Sequence, residues 1–94
     1  MIHVYVRIFS QAIPDLVEIG LEDGSTVESL LSRTKERVHQ ETPKAGESKI
    51  AFLNNTGSLV VLLNGMSIYS QAAGWKTLLH DGDVVSFLPM FAGG

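Results

Sequence analysis

Leu79-His80-Asp81-Gly82-Asp83-Val84-Val85-Ser86-Phe87-Leu88-Pro89-Met90-Phe91-Ala92-Gly93-Gly94 closes the chain, and the rest of the sequence is best read from this stretch. Asp81-Gly82-Asp83 has the composition of a turn, since aspartates bond their own backbone and glycine tolerates positive φ. Val84-Val85-Ser86-Phe87-Leu88 then reads as a last strand. If Val85 and Phe87 face a core, alternation turns Leu88 outward. Pro89, Met90, Phe91, Ala92, Gly93 and Gly94 follow with no linker. Two glycines without Cβ atoms can enter a narrow channel and let another backbone approach closely. Their reactive group is the carboxylate of Gly94, a poor electrophile until something activates it. A frayed end is the blander reading of Gly-Gly, and its position directly behind an apolar strand argues against it. Extended from Pro89 onward, the tail reaches about 20 Å at ~3.3 Å per residue. The expected division is a folded domain over 1–88 and a flexible, extended tail over 89–94.

Outward from this stretch, the N-terminus supplies a matching strand. Ile2, Val4, Val6 and Ile8 alternate with His3, Tyr5, Arg7 and Phe9, the period of a half-buried strand. A turn region over 10–15 with Pro14 leads to a second alternating run, Val17, Ile19 and Leu21, so the two form a hairpin. Glu22-Asp23-Gly24 turns the chain again. Ser25-Thr26-Val27-Glu28 fits a capping box, with Thr26 an equal candidate for the cap. Val27, Leu30, Leu31, Thr34 and Val38 form one stripe at helical spacing. Glu28, Arg33, Lys35, Glu36 and Arg37 fall on the solvent side, and Pro43 stops the helix by about residue 41.

Residues 41–58 are less defined. Lys44-Ala45-Gly46-Glu47 reads as loop, Ile50-Ala51-Phe52-Leu53 as a short helix or strand, and Asn54-Asn55-Thr56-Gly57 as a turn. Leu59 to Leu63 lacks alternation, as in a central strand covered on both faces. Asn64-Gly65 suits a tight turn with positive φ. Met66 to Tyr69 is a short strand candidate, and Gln71 to Leu79 an irregular or single-turn crossing. The order strand, strand, helix, strand, short strand, strand is solved most simply by a mixed sheet over one face of the helix. The first and last strands then lie parallel and adjacent in the middle.

The 94 residues make one domain, 45% hydrophobic and 18% charged, which is a folding composition. A net charge of −3 without a run of Lys or Arg argues against nucleic acid as a partner. An acidic surface suits a basic patch on a protein partner instead. The apolar run Leu59–Leu63 is far too short to span a membrane, and Met1 leads straight into a strand with no signal peptide, so the cytoplasm is the expected location. The absence of cysteine excludes disulfides, thiol nucleophiles and Cys-ligated metals.

Asp23-Gly24-Ser25-Thr26-Val27, Leu62-Leu63-Asn64-Gly65 and the closing stretch from Leu79 together resemble the ubiquitin-like β-grasp sulfur carriers. That family comprises the small subunit of molybdopterin synthase, the thiamine-pathway carrier ThiS and their relatives, and the resemblance spans the chain apart from 41–58. It implies an α+β ubiquitin-like β-grasp: a mixed sheet of four to five strands packed on one main helix, with a Gly-Gly tail. It implies a sulfur carrier in cofactor biosynthesis, molybdopterin first, with thiamine or amino-acid pathways next. A partner activating enzyme, using its own ATP and magnesium, adenylates the Gly94 carboxylate. A sulfur donor then displaces AMP to leave a thiocarboxylate, which an acceptor synthase large subunit consumes. The chain itself binds no cofactor or metal and is a substrate, not an enzyme; Gly93 and Ala92 complete the tail. Met90 and Phe91 depart from many relatives, which carry a second proline and a small aliphatic residue there. With Leu88 they form an apolar patch beside a reactive terminus, which reads as a partner-binding surface.

Two other functions share the same residues. An adenylated Gly94 attacked by a lysine amine would make the chain a ubiquitin-like modifier, and a plain interaction domain would not need the tail. Elsewhere the bland readings prevail. His3, His39 and His80 have no metal-ligand spacing, Asp81 and Asp83 belong to a turn, and Trp75 reads as a cover over one end of the core.

Overall fold

The computed structural model describes residues 1–9, 15–41 and 46–89. Ile2–Ile8 forms β1 and Asp15–Leu21 forms β2, paired antiparallel from Ile2↔Leu21 to Ile8↔Asp15. The helix Val27–Glu41 is α1 and Gly46–Asn54 is α2. Leu59–Leu63 is β3, Met66–Ser67 is β4 and Val84–Pro89 is β5. They form one five-stranded sheet in the order β2-β1-β5-β3-β4. As the order of elements implies, β1 and β5 run parallel and adjacent, and β3 returns antiparallel to β5.

One face of this sheet carries the core. Val4, Val6, Ile8, Val85 and Phe87 are fully buried, beneath Val27 and Leu30 of α1 and Leu53 of α2. The α1 stripe is therefore as expected, including Thr34, whose buried hydroxyl donates to the Leu30 carbonyl at 2.7 Å. Each fully buried side chain of this size contributes roughly 1.5–3 kcal/mol relative to exposure.

Between the two cap candidates the structure selects Thr26. Its Oγ1 accepts from the Ser29 amide at 3.3 Å, while Ser25 Oγ donates to the Glu22 carbonyl and Glu28 pairs with Lys76 at 2.7 Å. The Ser25–Glu28 box thus does not form. The cause is tertiary: Leu79 N donates to Ser25 O and Val27 N to Thr77 O, so the 74–79 crossing fixes where the helix begins.

Two further expectations are corrected. Gly46 and Glu47 begin a second helix instead of belonging to a loop. That helix forms because Leu53, with Ile50 and Phe52 against the same cluster, closes a core that α1 alone leaves open. Leu59–Leu63 is not the central strand and is not covered on both faces: only Leu59 and Val61 are buried, whereas Val60, Leu62 and Leu63 are half-buried. The central position belongs to β5.

The short elements follow their local chemistry. Asn64 and Gly65 make the β3–β4 turn at φ 51° and 87°, the paired positive values of a tight hairpin turn. β4 is only two residues long, and the next three, Ile68–Ser70, form a 3-10 turn that sends Ile68 into the core. Trp75, in a second such turn at Gly74–Lys76, packs on the core and meets Tyr69 edge-on at 6.4 Å. It is the expected cover.

Candidate functional site

The candidate site is the end of β5, where the chain leaves the sheet. Val85 and Phe87 point into the core with no exposed surface, which fixes the strand's rotation. Leu88 consequently faces the opposite, open side, as alternation predicts. It is half-buried there, because Val60 lies directly across from it on β3. Phe9, next in the outward alternation of β1, is also half-buried. Its amide donates to the Phe87 carbonyl at 2.9 Å.

Pro89, placed at the start of the tail by the sequence reading, is the last residue of β5 and pairs with Leu59. Its chemistry explains why pairing with β1 ends here. The Phe9 N–Phe87 O bond sets the register of the parallel ladder. In that register the nitrogen of residue 89 faces the Phe9 carbonyl, and proline has no N–H to give. The β1–β5 ladder therefore stops where the tail begins. Tyr69, 54% exposed, donates its hydroxyl to the Leu59 carbonyl at 3.4 Å, on the side of β3 away from β5. Tyr69 is a residue the sequence reading passed over; its place depends on the 3-10 turn after β4, which has no signature stronger than Ser67 as cap.

Met90, Phe91, Ala92, Gly93 and Gly94 lie outside the described residues. Of the expected partner-binding group, the structure places Leu88 alone. His3, His39 and His80 are exposed. Among the described residues no group of three or more His, Cys, Asp or Glu is arranged to hold a metal ion. Asp81 and Asp83 serve the turn: Asp81 Oδ1 accepts from His3 N at 2.8 Å and Asp83 Oδ2 from His80 N at 2.7 Å. Among the described residues no helix is long and apolar enough to cross a membrane.

Comparison with known proteins agrees with this architecture. The model of the ThiS family matches residues 6–94. A putative molybdopterin converting factor, subunit 1, from Pyrococcus furiosus is similar in fold, with a TM-score of 0.58 and 21% identity over 97% of this chain and 100% of that one. SAMP1 from Haloferax volcanii is likewise similar, with a TM-score of 0.63 and 17% identity over 98% of this chain and 99% of its own. No curated protein matches.

Proposed function

The chain belongs to the ThiS family, and from that premise we propose that it is a carrier of sulfur on the carboxylate of Gly94. The observation that carries this reading is the exit of β5. The central strand of the sheet delivers Pro89 at its rim, five residues before Gly94, and the family match continues through that glycine. The small residues Ala92, Gly93 and Gly94 suit a narrow channel in a partner. Leu88, Met90 and Phe91 supply apolar contacts that dock the domain beside it.

The chemistry belongs to the terminus and to the partners. A carboxylate oxygen of Gly94 attacks the α-phosphorus of ATP on an activating enzyme, which holds the magnesium, and pyrophosphate leaves. A sulfur donor then attacks the acyl carbon. The C–O bond to AMP breaks, a C–S bond forms, and a thiocarboxylate remains. An acceptor synthase large subunit takes that sulfur, with molybdopterin synthesis the first candidate, given the fold shared with a molybdopterin converting factor subunit. The chain acts as carrier and substrate, in the cytoplasm, and contributes no catalytic group. The chain's lack of cysteine is consistent with cargo carried on the backbone terminus.

The test is ATP-dependent adenylation by the activating enzyme of three proteins: the native chain, one lacking Gly94, and one with a residue added after it. Both changes should abolish adenylation while melting temperatures stay equal, because displacing a reacting group by about 1 Å costs ~100-fold in rate. Normal adenylation of the extended protein would overturn the proposal.

A further inference from the structure

The sheet has two edges of unequal character. β4 is two residues long, whereas β2 runs for seven, Asp15–Leu21, and among the described residues has no neighbour on its outer side. Its register with β1 is one-to-one throughout, without a bulge, and it contains no proline. Folded proteins usually blunt such an edge, because its free amides and carbonyls are a template for another strand.

The hydrogen bonding identifies those free groups. Tyr5 N, Phe9 N and His3 O bond toward the 82–87 segment, so the backbone groups of Ile2, Val4, Val6 and Ile8 face β2. Their register partners Leu21, Ile19, Val17 and Asp15 face back. The outward groups of β2 are therefore those of Leu16, Glu18 and Gly20. Arg37 of α1 confirms the assignment, since its Nη1 donates to the Glu18 carbonyl at 3.2 Å. That oxygen still has a second lone pair.

Beside the Gly20 end of this edge lies a groove of about 630 Å³ between the strand and α1, lined by Gly20 and Glu22 on one side and Ser29, Ser32, Arg33 and Glu36 on the other. Arg33 is paired with Glu36. Glu18 and Glu22 have no ion-pair partner among the described residues. Glu18 lies on the open face of the strand, opposite the buried Ile19 and Leu21, and Glu22 follows the last residue of β2 and lines the groove.

We propose that the outer edge of β2 and its groove bind an extended peptide segment of a partner protein as a sixth strand, with one basic side chain opposite Glu18 and another at the groove reaching Glu22. Only a strand satisfies the amides of Leu16, Glu18 and Gly20 together with the carbonyls of Leu16 and Gly20. Its alternate side chains enter the groove, whose serines suit small or polar residues. Charge selects against a second copy of this chain. The symmetric pairing that uses all three outward residues on both copies sets Glu18 against Glu18, and like charges directly opposite are destabilising. This site lies at the edge of the sheet and does not depend on the role proposed for Gly94.

The test uses the full-length ¹⁵N-labelled chain and a capped peptide of the pattern lysine-threonine-valine-threonine-lysine, with a second in which glutamate replaces lysine. The lysine peptide should shift the amides of Leu16, Glu18 and Gly20 and slow their hydrogen exchange, and the glutamate peptide should bind more weakly. Glu18→Lys should weaken lysine-peptide binding about fivefold, as expected for reversing one cross-strand charge pair. Leu16→Pro removes one outward N–H without touching the β1 ladder, so it should reduce binding while the melting temperature holds. Shifts confined to the open face around Leu88, equal binding of both peptides, or no binding of either would overturn the proposal. So would self-association of the free chain through the same three amides.

Discussion

At its start, β5 is tied by side chains from several directions. Asn64 Oδ1 accepts from Val84 N at 2.9 Å and its Nδ2 donates to Asp83 Oδ1 at 3.0 Å. Asp83 also accepts from His80 N, and Asp81 holds the amide of His3 at the start of β1. At its end, the same strand has main-chain bonds and a proline that cannot continue the ladder on the β1 side. The contrast shows one strand fixed as the centre of a core by its start and middle, so its last residues need contribute little to folding; on the function proposed above, they are the part left to serve a partner.

Stability effects should accordingly fall along β5 from the middle outward. Phe87→Ala, at a fully buried position, should cost about 3–5 kcal/mol by denaturant unfolding, the usual range for a core Phe→Ala. A loss below about 1 kcal/mol would break the comparison at its foundation. Asp83→Ala removes the acceptor for His80 N and Asn64 Nδ2. It should cost about 1–2 kcal/mol, seen as a lower melting temperature with faster hydrogen exchange at Val84. An unchanged melt would mean the clamp at the start is ornamental. Pro89→Ala restores an N–H facing Phe9 and should change stability by less than about 1 kcal/mol, the net worth of one hydrogen bond. A loss of several kcal/mol would mean that the end of β5 is as structural as its start.

Much of this was legible in the chain, for reasons that differ by region. The strict alternation of Ile2 to Phe9 defines a strand with one buried face, and the apolar run of Val84 to Leu88 after its Asp-Gly-Asp turn defines another. The stripe from Val27 to Val38 defines α1, and Asn64-Gly65 defines its turn, because positive φ restricts the residue choice. What escaped reading depended on tertiary partners. Thr26 prevails over Ser25 as cap because the 74–79 crossing bonds to Ser25 and Val27. α2 begins at Gly46 with no capping signal strong enough to announce it. Val60 and Leu62 look like interior residues, yet they lie on the open face, half-shielded by cross-strand neighbours Leu88 and Ser86. The β-grasp resemblance was legible in the closing residues, and the family match bears it out. Of the site, the outward turn of Leu88 was legible from alternation alone. The contact of Tyr69 with Leu59 was not, since no local pattern links the two.

Whether the last residue carries sulfur is read from the mass of the intact protein purified from its native host. The predicted result is a population heavier than the unmodified chain by about 16 Da, the exchange of one oxygen for sulfur at the C-terminus, which disappears when Gly94 is deleted. An unmodified terminus accompanied by Gly-Gly remnants on lysines of other proteins would contradict it and assign the chain to protein modification instead.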